Sequence, residues 1–152
     1  MREAGSRRLP MKSSLNSFLL ALLLLPAGLN GQVAQSPLTD AAGNATAGEA
    51  VFNDREKGHC LLCHQLSASS EPFQGTIGPS LDGIASRFTS SEIRYRIVDQ
   101  SRLNPETVMP AYYRTDGLTQ VAKAYRGETV LTAQEIEDLI AYLVKTTGER
   151  DG

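Results

Sequence analysis

The sequence predicts an all-α domain behind an export leader. Three observations carry this. A capped amphipathic segment begins at Thr132, a second helical periodicity begins at Ser90, and no two neighbouring segments alternate as paired strands would. At 152 residues the chain is the size of one domain. Its 41% apolar and 21% charged residues are those of a globular protein. The low aromatic content, 6%, predicts a thin apolar core that a bound hydrophobic group would enlarge.

Residues 1–31 read as a secretory signal peptide. Arg2, Arg7, Arg8 and Lys12 make a basic start, Phe18 to Leu25 is apolar, and Pro26, Ala27 and Gly28 break the run. That run is far shorter than the ~20 residues that span a bilayer, so no membrane attachment is expected after cleavage. Arg7-Arg8 resembles a twin-arginine motif, although Pro10 stands where that motif prefers a bulky apolar residue; Met11 could equally be the start. The leader holds four of 15 basic and one of 17 acidic residues, which leaves a net charge of −5 behind it. An acidic chain of this kind is not expected to bind nucleic acid. Between Arg87 and Arg126 basic residues outnumber acidic ones, and beyond Glu128 the balance reverses. Such asymmetry fits a docking face or an ordinary solvated surface.

Residues 32–45 are small and polar and read as a flexible N-terminal segment. The domain proper is expected at 46–147, with a short tail at 148–152. A first helix is expected from about Thr46 into the cysteines that follow, with Ala47, Ala50, Val51 and Phe52 as its apolar positions. Residues 67–83, rich in Ser, Gly and Pro, read as loop. Ser90 to about Gln100 reads as helix, because Ile93, Ile97 and Val98 share a face while Arg94 and Arg96 point elsewhere. Residues 101–115, with Pro105 and Pro110, should be extended, and a short helix is expected over Leu118–Tyr125, stopped by Gly127. In the last helix Thr132 and Glu135 form a capping box. Ile136, Leu139, Ile140 and Leu143 make its apolar stripe, and Gly148 ends it.

Cys60-Leu61-Leu62-Cys63-His64 is a C-x-x-C-H sequence. On one helical turn, two thiols at this spacing can bond the two vinyl groups of a haem edge while the histidine presents its imidazole to the iron. This is the attachment pattern of haem c. A structural zinc site needs four surrounding ligands, and the only cysteines and histidines lie between His59 and His64. A thioredoxin-like pair expects a βαβ setting that is not evident. A disulfide across so short a loop would stabilise little. Covalent haem, one per chain, is therefore the reading, with a thiol protein as its rival. Attachment needs free thiols on an open chain, which favours general secretion and haem addition outside the cytoplasm.

His64 serves one face of the iron. His59 is tethered at the haem edge and cannot reach the other, and Met1 and Met11 lie in the leader. Met109 remains, on a loop stiffened by Pro105 and Pro110. A thioether suits iron in a dry pocket and raises its potential. The alternative is a packing methionine, with lysine, water or nothing on the iron. An iron held on both faces has no place for a substrate and passes single electrons, so no catalytic residue is assigned.

From about Thr46 to Thr146 the order of elements resembles class I cytochrome c. In that class a Gly-Pro after the haem motif, here Gly78-Pro79 within Ile77-Gly78-Pro79-Ser80-Leu81, packs on the histidine. A backbone carbonyl there accepts its Nδ1–H. Within the class the chain is most similar to the SoxX family, the single-haem subunits of the thiosulfate-oxidising SoxAX cytochrome. That resemblance rests on the haem motif, on residues 77–81, on Asn104-Pro105-Glu106-Thr107-Val108-Met109-Pro110-Ala111-Tyr112-Tyr113, and on Leu131 to Leu143. Relatives commonly have Phe where Tyr112 stands.

The resemblance implies a periplasmic heterodimer with a SoxA-like haem subunit. The pair would join thiosulfate to a cysteine of a SoxYZ-like carrier, with the sulfur chemistry mainly on the partner. This chain would then relay electrons to a small soluble cytochrome c. A stand-alone periplasmic carrier serving another dehydrogenase or oxidase is the alternative. Arg87, Arg94, Arg96, Arg102 and Arg114 could each steer an anion, dock a partner, meet a haem propionate or face solvent.

Overall fold

The structure is a computed structural model that describes Met1 and residues 36–148. The expected signal peptide, the first residues of the 32–45 segment and residues 149–152 of the tail lie outside the described residues. The chain divides into two units, Met1–Gly31 and Gln32–Gly152, and every element below belongs to the second. Its described residues form four α-helices: α1 (Ala45–Asn53), α2 (Ile84–Arg87), α3 (Ser90–Asp99) and α4 (Ala133–Thr147). Single 3-10 turns occur at Cys60–Leu62, Gln100–Arg102 and Lys123–Tyr125. No strand is present among the described residues. No helix among them is long and apolar enough to cross a membrane.

Helix α4 organises the fold. The Thr132 hydroxyl accepts from Glu135 N–H while the Glu135 carboxylate accepts from Thr132 N–H, so the helix starts with its free donors satisfied. Ile136, Leu139, Ile140 and Leu143 are all buried, as the periodicity predicts. Each contributes up to about 1.5–3 kcal/mol by leaving water. Gly148, at φ 81°, ends the helix.

Helix α1 crosses α4 almost backbone to backbone. A Cβ on Gly48 would lie 1.9 Å from Asp138 O, and one on Gly43 2.2 Å from Glu137 O, so only glycine permits the approach. The Phe52 and Tyr142 rings meet below that crossing with centroids 5.4 Å apart. The C-terminal part of the segment expected to be flexible is held at two points. Leu38 N–H donates to Glu137 Oε1 (3.0 Å) and Asn44 N–H to Asp138 Oδ1 (2.7 Å). Asn44 also caps α1 through its side chain.

Helix α3 begins with a capping box of its own, Thr89 with Glu92. Ile93, Ile97 and Val98 enter the core as expected, but Arg94 does not point away from it. Its guanidinium is buried and grips the Glu137 carboxylate of α4 with two 2.7 Å hydrogen bonds, Nε to Oε1 and NH2 to Oε2. A buried charge persists only when paired in this way.

Three other expectations are corrected. Helix α1 stops at Asn53 rather than running into the cysteines; Asp54 accepts from His59 N–H and closes a separate turn. Leu118–Tyr125 is not a helix but a single 3-10 turn at Lys123–Tyr125, with Gln120 at φ 60° interrupting any longer run. Residues 101–115 begin with the end of a 3-10 turn before they extend.

Candidate haem-binding site

The C-x-x-C-H sequence folds into one tight turn. His59 enters it at φ 48°, a left-handed position that histidine tolerates better than most residues. Cys63 N–H and His64 N–H both donate to Cys60 O (3.2 and 2.9 Å), which gathers the two thiols and the imidazole on one side. No disulfide joins the two cysteines.

The loop after the turn runs back alongside it. Gly75 N–H bonds Leu61 O, Gly78 N–H bonds Cys63 O and Leu81 N–H bonds Gln65 O, each at 2.8 Å. This rail places Pro79 O 2.7 Å from His64 Nδ1. The bond leaves Nε2 of the imidazole as the nitrogen free to bind iron. Gly78 lies against the ring itself: a Cβ there would be 2.4 Å from Cε1 and 2.6 Å from Nδ1 of His64. Arg87 secures the rail by donating to Asp82 O and Ser80 O (2.7 and 2.9 Å).

Cys60, Cys63, His64, Pro79 and Met109 all line one cavity of about 810 Å³, within the ~300–1,000 Å³ range of cofactor sites. Its walls are apolar, built by Phe52 of α1, Ile84 of α2, Ile93 and Ile97 of α3, and Leu139 and Leu143 of α4. Every helix thus contributes to one pocket. Met109 is half-buried and packs on the core, its N–H bonded to Thr107 Oγ1 (3.1 Å). Gln100 Oε1, on the same wall, is buried with no hydrogen-bond partner. A pocket walled by hydrocarbon, with two thiols, an oriented imidazole, a thioether and the arginines Arg87 and Arg96 in its lining, fits a haem with its anionic propionates.

Burial pushes the Cys60 thiol, before any bond to haem, up to about 12. Burial, reinforced by the two cysteines, also raises the Tyr112 phenol, so it stays a donor at any physiological pH. That hydroxyl donates to Gly58 O at 2.7 Å. Sequence reasoning marked Tyr112 only as a departure from Phe; its partner lies 54 residues away and leaves no local trace.

The arginines separate by role. Arg94 belongs to the buried pair and Arg87 to the rail. The Arg96 guanidinium stacks over the Phe88 ring at 3.8 Å while NH1 donates to Glu92 O. Arg102 and Arg114 both face the buried Asp99 carboxylate, at 3.6 and 3.2 Å.

Comparison with known proteins agrees with this geometry. A sequence-family model described as Cytochrome c matches residues 45–147. A chain of SoxXA from P. pantotrophus is 33% identical, with a TM-score of 0.68 over 75% of this chain and 89% of that one. The c-type cytochrome SorU from Sinorhizobium meliloti is 22% identical over 71% of this chain and 95% of that one, with a TM-score of 0.45. A variant of ferric cytochrome c-550 from Paracoccus versutus is 23% identical over 69% and 97%, with a TM-score of 0.32. No significant match occurs among curated protein sequences.

Proposed function

The chain belongs to the cytochrome c family, as a SoxX-like member with covalently bound haem c, and on that premise we propose that it is the electron-relay subunit of a SoxXA-type complex. Electron transfer is the general function of the family. When bound, the haem supplies a reversible one-electron ferric/ferrous couple. The chain's own residues do the rest. Cys60 and Cys63 would tether the group, His64 and Met109 would hold its iron, and Pro79 O fixes the orientation of the His64 ring. The apolar walls keep water out, so little reorganisation accompanies a change of charge. With His64 and Met109 both supplied to the iron, no position would remain for a substrate, and the sulfur chemistry would fall to the partner.

The observation that carries the Sox reading is the likeness to SoxXA over most of that chain. The surface agrees with a partner. Ile77 and Val108, at the cavity, are 70% and 78% exposed, and the loop carrying Phe73 runs directly beside exposed Leu62. Several large apolar side chains left in water on adjoining loops suit a docking surface. On this reading the mature protein works in the periplasm beside a SoxA-like haem subunit. It takes electrons released when thiosulfate is coupled to a cysteine of a SoxYZ-like carrier and passes them to a small soluble cytochrome c.

The test is to tag the protein in its own bacterium, grow the cells on thiosulfate, and identify what co-purifies. A stoichiometric second c-type cytochrome, with haem reduced by thiosulfate once carrier is added, is the expected result. A lone haem protein reduced only by generic donors would make it a free carrier instead.

A further inference from the structure

The segment that carries Met109 has little to hold it. Its hydrogen bonds are local: Thr107 N–H to Asn104 O, Glu106 N–H to Asn104 Oδ1, and Met109 N–H to Thr107 Oγ1, each at 3.1 Å. The anchor comes three residues later, at Tyr112. Its N–H reaches Ile97 O at the end of α3 (3.3 Å), and its carbonyl accepts from Leu131 N–H (3.1 Å). The ring is buried against the cavity, and the hydroxyl donates to Gly58 O (2.7 Å). Gly58 is itself buried, two residues before Cys60.

One hydroxyl therefore joins the strand of chain entering the haem-attachment turn to the strand leaving the methionine. We propose that Tyr112 is a positioning residue for the axial methionine, its hydroxyl bond to Gly58 O strapping the Met109 segment closed over the haem cavity. This rests on the reading of Met109 as an iron ligand. Swinging Met109 away pulls on Tyr112 and breaks the bond, which strands a buried carbonyl. The strap thus stabilises the closed state alone and sets how often the methionine leaves.

The test uses the ferric holoprotein and imidazole, a ligand that binds iron only after Met109 has left. Its apparent affinity follows the fraction of open protein. Tyr112→Phe keeps the ring and removes only the hydroxyl. Loss of one such bond multiplies the open fraction about 3- to 10-fold, so imidazole should bind about 3- to 10-fold more tightly. Binding is read as disappearance of the sulfur-to-iron charge-transfer band.

Thr147→Val is the control. It removes a hydroxyl that accepts from Ala85 N–H and donates to Leu143 O, on a side chain that does not itself line the cavity, and should lower the melting temperature with no change in imidazole affinity. Imidazole affinity within about twofold of the parent in Tyr112→Phe would overturn the strap. So would equal tightening in Thr147→Val, which would mean general loosening. A parent protein without the charge-transfer band would overturn the Met109 reading and this proposal together.

Discussion

Replacing Gly78 with alanine tests the core of the site with a single methyl group. The added Cβ would stand 2.4, 2.6 and 2.8 Å from Cε1, Nδ1 and Nε2 of His64. Carbon atoms rest about 3.5–4 Å apart, so the ring must retreat by roughly 1 Å. A retreat of that size stretches the 2.7 Å bond to Pro79 O beyond the range of a hydrogen bond. Overpacking costs about 1–3 kcal/mol and the lost bond about 1 more. Each kcal/mol lowers the melting temperature of a domain this size by about 4–8 °C, so a fall of roughly 8–32 °C is expected.

An imidazole deprived of its carbonyl partner is also a weaker donor to ferric iron. The reduction potential should therefore rise, by about 40–60 mV if the electronic loss is near 1–1.4 kcal/mol. Thermal melting of the holoprotein and a spectroelectrochemical titration measure both quantities. A Gly78→Ala protein that melts within about 2 °C of the parent, at an unchanged potential, would refute the packing argument.

Other perturbations reach different parts of the molecule. Arg94→Met strands the buried Glu137 carboxylate and should cost about 3–5 kcal/mol in urea unfolding, and the double Arg94→Met/Glu137→Met variant should recover much of it. Burial alone would raise the Glu137 pKa, but the Arg94 hydrogen bonds, Leu38 N–H and the Arg94 charge overcome it and hold the carboxyl below its ordinary value. Its contribution to stability is accordingly full above the ordinary glutamate range and declines as pH falls through the lowered value; Glu137→Gln should flatten the acid limb of a stability–pH curve. Met109→Ala should abolish the low-spin His/Met spectrum without releasing the haem, and an unchanged spectrum would remove Met109 from the iron.

What the sequence made legible was local. The turn that presents the thiols and imidazole is written in five consecutive residues, and α4 is written in its cap and its stripe. The expectation that Met109 is a ligand came from the shortage of others, an argument from composition, and the structure places Met109 in the cavity lining. Features that join distant segments were hidden. Arg94 reads as a surface charge until Glu137, 43 residues on, is brought against it. The 36–45 segment reads as loose because its partners are carboxylates on the last helix. Helix α2 spans only Ile84–Arg87, too short for any periodicity to register. The Leu118–Tyr125 expectation failed because no apolar stripe there had a neighbour to pack on.

The glycine-mediated crossing of α1 and α4 bears on how the protein is born. A chain emerges from a ribosome, or through a translocation pore, with its N-terminal end first. Helix α1 is then made early but finds its packing surface only in a segment that appears much later. Until α4 arrives, Phe52 has no Tyr142 to meet and the wall of Leu139 and Leu143 does not exist. The nascent polypeptide is thus obliged to wait, with its cysteines within reach of the attachment machinery and their thiols in water. Truncation ahead of Thr132 should consequently leave a chain that can accept haem and cannot close around it.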